Sequence, residues 1–435
     1  MKNKTITLVV FCALCAVVNA EENKVIALTA DEAVGYALQN SRQIQSGSID
    51  LETQKRASET AWNILLPGVE VGASIIRANE IMGAPGLTEK DHWNMAGSAG
   101  ISLNFNLAMI ETIKVAGAGY DVEKITFEET QKRLERDVRK LFYNLLLMQE
   151  SIKISEENLL AAQNRVADSG QNYRAGKISE LDFLQTQVAY QNQIPEVLRT
   201  KHALKQNINA FALLLGMKAG TEIELEGAIE ISGISEKASE ETALQSTTTR
   251  AEMTLQKNID MLTVQRKALN LQVFTPSLNL SFGLQPMASL TALGNGTPEP
   301  WQDKGSFSAS LVWNLTGLLP FSSNRQQVKN IDADMAKLRI QQVEEREQVI
   351  NGVQQLMDTL ELSRVQIAAL EANITLASRN YELTEAAYRN GRVDLSKVQD
   401  AELSLNQARQ GLLGEQFNYI SALLDIEYLT GARLR

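Results

Sequence analysis

The sequence predicts a mainly α-helical chain with a membrane β-barrel portion, built as duplicated long coiled-coil helix hairpins plus four β-strands per chain. Three observations predict it. The text of the chain is written twice. Four short stretches alternate apolar and polar residues. Helical segments of uncommon length come after each pair of those stretches.

The duplication is clearest at Tyr173-Arg-Ala-Gly176-Lys-Ile-Ser, which returns as Tyr388-Arg-Asn-Gly391-Arg-Val-Asp, 215 residues later. The same offset maps Val138 onto Val353, Ile152 onto Ile367 and Gly216 onto Gly431 without a gap. Pro67 and Pro276 match at an offset of 209, so an indel of about six residues separates the halves of each repeat. A repeat of this size sets the architecture before any local assignment.

Composition narrows the class. The 435 residues include only 8 prolines and few aromatics, a mix that favours helix. The net charge is −10 and basic residues do not cluster, which argues against nucleic-acid binding. Residues 1–20 read as a signal peptide: Lys2 and Lys4, an apolar run from Ile6 to Val18, then Val18-Asn19-Ala20. Cys12 and Cys15 both lie inside it and come after Phe11 and Leu14, so a cleaved signal without a lipid anchor is expected. The mature chain is then free of cysteine. His92 and His202 are isolated, and the eleven methionines are scattered, so no metal site and no cofactor is expected. No nucleophile elbow, phosphate loop or catalytic carboxylate pair marks an enzyme.

In chain order, residues 21–66 hold the N-terminal helix of the first repeat, after a polar lead at 21–28. Thr29 with Glu32 predicts a capping box, and one helix is expected to run to about Leu65, where Pro67 stops it. Residues 67–107 form the first β-hairpin, from alternation at Val69–Arg77 and Ile101–Leu107. Residues 108–216 form a long helical hairpin, with helices over 109–172 and on to Leu215, and with Pro195 as a bend point. Residues 217–238 are a link with a short strand at Glu222–Leu225. The second repeat has the same order: a helix within 239–275 from Ser239 to Phe274, a β-hairpin within 276–316, and a helical hairpin with a tail over 317–435. In that second β-hairpin, Leu278, Leu280, Phe282 and Leu284 share one side, and Phe307–Leu315 alternates likewise. The last helical hairpin reads as helix over 323–387 and on to Leu429.

Length decides what these elements build. Leu107 to Gly176 spans about 100 Å as a helix. Ten-residue strands with one apolar face suit a tilted bilayer crossing. Four strands cannot close a barrel, and an open edge cannot sit in lipid. Several chains must therefore share one barrel, continued by a tube of paired helices.

With these elements in place, the sequence resembles the TolC-like outer-membrane efflux family, the outer membrane factor of tripartite efflux and type I secretion. The resemblance spans essentially the whole mature chain. It rests on Ala33…Ala37-Leu-Gln-Asn40, Arg250-Ala-Glu-Met253, Pro67 and Pro276 before the strands, the Tyr-x-x-Gly-x-Ile/Val tips, and Asp400-Ala-Glu402. It implies a homotrimer in the outer membrane, with a twelve-stranded barrel continued by an α-helical tunnel into the periplasm. It also implies partners: a periplasmic adaptor, an inner-membrane transporter and outer-membrane lipid. The function implied is a passive exit duct, opened at its periplasmic tip.

The resemblance places gate residues at Asp182, Tyr388 and Asp400. It departs where Val393 replaces the family's arginine, beside Arg392, and where Lys397 replaces an aspartate. Tip residues Tyr173, Gly176, Lys177, Gly391 and Val393 are candidate adaptor contacts. Trp313 is a candidate for an interfacial aromatic girdle. Each has a plainer reading. The tyrosines also fit as helix packing, the glycines as relief of backbone strain, and Asp182 and Asp400 as solvated acids. The alternative from another class is a soluble exported coiled-coil adaptor or scaffold without a pore. It leaves the four strands unexplained.

Overall fold

The computed structural model describes residues 26–77, 93–218, 220–227, 250–289 and 301–431. The signal peptide, His92, most of both hairpin loops, much of the link after residue 227 and the helix start at Ser239 lie outside the described residues. The chain packs as two units. One comprises Met1–Ser41, Val138–Glu230 and Ala377–Leu413; the other comprises Arg42–Asp137, Ile231–Leu376 and Gly414–Arg435.

The helices are α1 (Ala30–Asn40), α2 (Arg42–Thr60), α3 (Ala108–Arg174), α4 (Glu180–Leu214), α5 (Arg250–Phe274), α6 (Ser323–Arg389) and α7 (Leu395–Thr430). Both ends of α3 map onto both ends of α6 at an offset of 215. Among the described residues no helix is long and apolar enough to cross a membrane. The strands are β1 (Ile26–Leu28), β2 (Gly68–Arg77), β3 (Trp93–Phe105), β4 (Ile223–Leu225), β5 (Ser277–Leu284), β6 (Pro286–Ser289), β7 (Gln302–Asp303) and β8 (Ser306–Val312).

In the second unit the two hairpins join into one antiparallel sheet. β2 pairs with β3, β3 with β5, and β5 with β8, so each repeat contributes one central and one outer strand. The register separates the two faces. Val69 opposes Ile101, Ile101 opposes Phe282, and Phe282 opposes Phe307. Two residues along, Val71, Ala99 and Leu284 line up; on the other side Leu103, Leu280 and Ala309 do. Side chains alternate faces along a strand, so all of these apolar groups share one face. The opposite face carries Glu70, Ser98, Ser102, Asn104, Ser277, Asn279, Ser281, Ser306, Ser308 and Ser310. On it, Ser281 and Ser308 are joined by a 2.7 Å hydroxyl hydrogen bond. The apolar face lies open: Val71 is 82% exposed and Leu311 70%.

Asn106 ties the sheet to the helices. Its Oδ1 accepts from the Ala108 amide at 2.8 Å, which starts α3. Its Nδ2 donates to Ser277 Oγ at 3.2 Å and to the Thr275 carbonyl at 3.4 Å. One buried side chain thus fixes the exit from the first hairpin against the entry to the second. Below it, Glu111 accepts from Lys114 at 2.9 Å and from Lys267 of α5 at 2.7 Å. Both bonds hold its carboxyl below the usual carboxylate range.

In the first unit, β1 pairs in parallel with β4. Val138, Phe142, Leu145 and Ile152 recur along α3 at spacings of four, three and seven, and all are buried. Phe142 meets Phe211 of α4 at 6.3 Å between ring centroids. On α7, Val398, Ala401, Leu405 and Ala408 are among the buried positions, at spacings of three, four and three.

Four expectations are corrected. The helix expected to reach Leu65 is broken at Ser41, whose ψ of 133° is extended, and it ends in a 3-10 segment at Ala61–Leu65. The break follows from packing: the Asn40 carbonyl lies against Gly216 so closely that a Cβ there would collide with it. The polar lead contains strand β1, which three residues of periodicity could not reveal. The sheet holds more than the four expected strand segments, because β6 and β7 extend pairing into the second loop. The last strand stops at Val312, since the Asn314 side chain caps a 3-10 segment at Leu315–Leu318 instead.

Candidate functional site: the hairpin tips

Both tips are helix ends of one design. The Gly176 amide donates to the Tyr173 carbonyl and the Lys177 amide to the Asn172 carbonyl, both at 2.9 Å. At the second tip, Gly391 donates to Tyr388 at 2.8 Å and Arg392 to Ala387 at 2.9 Å. These are the paired bonds of a Schellman ending, which needs a left-handed residue after the helix. Gly176 and Gly391 supply it, with φ of 70° and 67°.

Beyond the glycine the two tips diverge. After Gly176, Ser179 caps α4, and Asp182 accepts from the Ser179 amide at 3.2 Å and from its hydroxyl at 2.8 Å. Tyr173 stacks on Phe183 at 5.6 Å with the rings 7° from parallel. The second tip has Asp394 and Lys397 at the capping positions and Val398 in place of Phe183.

The two tips border one cleft of about 860 Å³. Gly176, Lys177, Asp182, Tyr388, Gly391 and Val393 line it. Tyr173, Arg392, Lys397 and Asp400 do not; Lys397 and Asp400 are exposed on α7. Trp313 belongs to the sheet unit, just past β8, where its Nε1 donates to the Val273 carbonyl at 3.4 Å. The cleft mixes Arg165, Lys177 and Arg389 with Asp168, Asp182, Glu385 and Asp394. It is a polar, two-signed surface without a clustered nucleophile or base.

Sequence reading missed the polar contact nearest this cleft. Arg165 of α3 donates to Glu402 of α7 at 2.6 Å and to the Tyr381 hydroxyl of α6 at 2.9 Å. Burial pushes the Glu402 carboxyl above its ordinary value, against the pull of Arg165. The available signal was a charged residue at a helix position whose spacing marks it as core, three before Leu405.

A two-faced β-sheet without closure of its own, joined to duplicated long helix hairpins that end in glycine-turned tips, defines a barrel-and-tunnel channel subunit. Comparison with known proteins agrees. The model of the outer membrane efflux protein family matches residues 33–217 and 239–432, and the chain belongs to that family. It is 24% identical over 346 residues to the cation efflux system protein CusC of Escherichia coli strain K12, covering 77% of this chain and 72% of that one. It is 20% identical over 328 residues to nodulation protein T of Rhizobium leguminosarum bv. trifolii, covering 73% and 66%. Among solved structures, the CmeC outer membrane channel of Campylobacter jejuni superposes with a TM-score of 0.77 at 14% identity, over 93% of this chain and 86% of that one. VceC of Vibrio cholerae superposes at 0.74 and 15% identity, over 93% and 97%. The protein is thus an outer-membrane efflux channel with its helical part in the periplasm. That sets aside the soluble scaffold. The family is one of channels, which are not enzymes, and its members are homotrimers that work with adaptors and inner-membrane transporters.

Proposed function

We propose that three copies of this chain close one twelve-stranded barrel, forming a passive exit duct that is opened at its tips. The observation that carries this reading is the sheet. One face is apolar across all four long strands, and β2 and β8 each pair on one side only among the described residues. An edge in lipid must be satisfied, and β8 of one copy pairing with β2 of the next satisfies both. Trp313, on the apolar side at the strand end, is placed to join an aromatic girdle at the lipid interface.

The tips are the gate in this reading. Tyr173, Gly176, Lys177, Gly391 and Val393 are offered to a periplasmic adaptor that links the duct to an inner-membrane transporter. The transporter is a drug- or ion-efflux pump or a type I secretion exporter. Asp182, Tyr388, Arg392, Lys397 and Asp400 form the constriction. Three Asp400 carboxylates around a threefold axis attract cations, and three Lys397 ammonium groups one turn earlier weaken that field.

Single-channel conductance of the detergent-extracted protein in a planar bilayer tests this. Small, cation-preferring openings that change with Asp400→Asn are expected. Openings indifferent to that substitution would move the constriction elsewhere. Silence from inserted trimers of wild type and of Asp400→Asn alike would reject a tip-gated duct.

A further inference from the structure

Arg165 lies eleven residues before Gly176, Tyr381 ten before Gly391 and Glu402 eleven after Gly391. All three therefore stand at one level, about 16 Å along the helices from the tips. They come from three different helices and meet in one buried cluster. We propose that Arg165, Tyr381 and Glu402 form the release catch of the tip, a contact that fixes α3, α6 and α7 together and yields when water reaches it. The proposal rests on the tip-gated channel reading.

The geometry is specific. The Arg165 and Glu402 side chains are 7% and 8% exposed, and the Arg165 guanidinium spans both partners. A shift of either neighbouring helix by one turn would break a bond. The energetics are nevertheless shallow. Glu402 Oε1 is buried and accepts no hydrogen bond among the described residues. Attraction between buried charges offsets their lost hydration only when the remaining lone pairs are satisfied. Here one is not, so the cluster sets register while contributing little net stability. When the helices part, Oε1 and both charges recover water. A contact of this kind holds a position and is released at small cost.

The catch occurs once per chain. At the offset of 215, Arg165 maps onto Asn380, Glu402 maps back onto Gln187 and Tyr381 onto Val166. The equivalent place in the other repeat therefore carries no ion pair. The ion pair joins α3 of the first hairpin to α7 of the second, and the repeat-related residues carry no charge to match it.

The charged and titratable groups facing Glu402 are Arg165 from α3 and Tyr381 and Glu385 from α6. Glu402 holds its proton more firmly in the buried cluster than it would in water. Protonation therefore favours the engaged catch. Openings should become rarer as pH falls toward the ordinary carboxylate value of 4.5, and commoner as it rises.

The test uses the full-length, detergent-extracted protein in planar bilayers. Wild type is compared with Glu402→Gln and with the double variant Arg165→Met/Glu402→Met. Glu402→Gln puts a neutral side chain where the protonated acid stands, so the resting open probability should fall to the level that wild type reaches on acidification. The double variant removes both charges and the hydrogen bonds that span the helices. Wild type should lose openings on acidification, and both variants should not. Equal open probability and equal pH response in wild type and Glu402→Gln would overturn the catch and keep the channel. Should Glu402→Gln fail to assemble, the double variant decides, since a pH response like that of wild type overturns the proposal. Silence from wild type, Glu402→Gln and Asp400→Asn alike would overturn the tip-gated reading, and the catch with it.

Discussion

Asp182 and Lys397 occupy the same place in the two copies of the tip, third in the helix after the turn, and they carry opposite charges. Asp182 completes a capping box with Ser179, and its negative charge sits at the positive end of α4. Lys397 sits at the same end of α7, where a cation is disfavoured. The first tip therefore has a capping box at its turn, and the second, with Lys397 in place of the acid, cannot form one. The tip without the capping box belongs to the hairpin that the Arg165–Glu402 pair holds further up.

Removing the Asp182 carboxylate should loosen only the first tip. Asp182→Ala is expected to cost about 1 kcal/mol of local stability, the usual worth of a cap. Amide exchange should speed up across the first turn of α4 and stay unchanged in α7. Lys397→Asp should do the reverse and slow exchange in the first turn of α7. Equal effects of both substitutions on both tips would mean that the turns are held from elsewhere.

The left-handed glycines separate by what surrounds them. At Gly391 a Cβ meets open space, so Gly391→Ala should cost only the backbone strain, about 1–2 kcal/mol. Gly216 has a φ of 85° and the Asn40 backbone against it. Gly216→Ala must also push α1 away, and its unfolding midpoint should drop well below that of Gly391→Ala. Similar midpoints would show that α1 is only loosely attached.

The elements were legible in the sequence to the extent that they repeat. Sixty-seven-residue helices leave many turns of apolar spacing, and the tips declare themselves through a duplicated glycine. Two-residue alternation gave β5 its bounds because Leu278 to Leu284 never breaks pattern. What stayed hidden depends on partners distant in the chain. Ile26–Leu28 is a strand only because Ile223–Leu225 lies beside it. Ser41 breaks a helix only because Gly216 brings a second backbone to Asn40. The Arg165–Glu402 pair spans 237 positions, so no local pattern in either helix could name its partner. Asp182 was legible as a tip acid; its bond to Ser179 required the turn geometry.

Acid should act on the sheet unit through Glu111. Lys267 and Lys114 hold its carboxyl below its ordinary 4.5 in the folded chain. A carboxylate with a depressed folded-state pKa stabilises above its unfolded value, and that contribution is lost as pH falls through the folded value. The thermal midpoint of wild type should therefore fall more steeply than that of Glu111→Gln as pH drops below 4.5. Parallel pH profiles would show that the two lysines are satisfied without it.

The sharpest test of the two-faced sheet sets neighbours on one strand against each other. Leu311 and Ser310 are adjacent in β8, Leu311 opposite Leu278 on the apolar face and Ser310 opposite Asn279 on the polar one. If the apolar face meets lipid, Leu311→Arg carries a guanidinium into hydrocarbon, a cost of about 2–4 kcal/mol near the midplane and less toward the interface. Three copies multiply it in a trimer. Outer-membrane yield of Leu311→Arg should collapse. Ser310→Arg, one residue away and of the same chemistry, should insert normally and lower the conductance of cations, because it lines the lumen. Equal yields would mean that the apolar face is covered by protein rather than lipid. A loss of yield confined to Ser310→Arg would mean that the sheet is turned the other way, with its serine face outward.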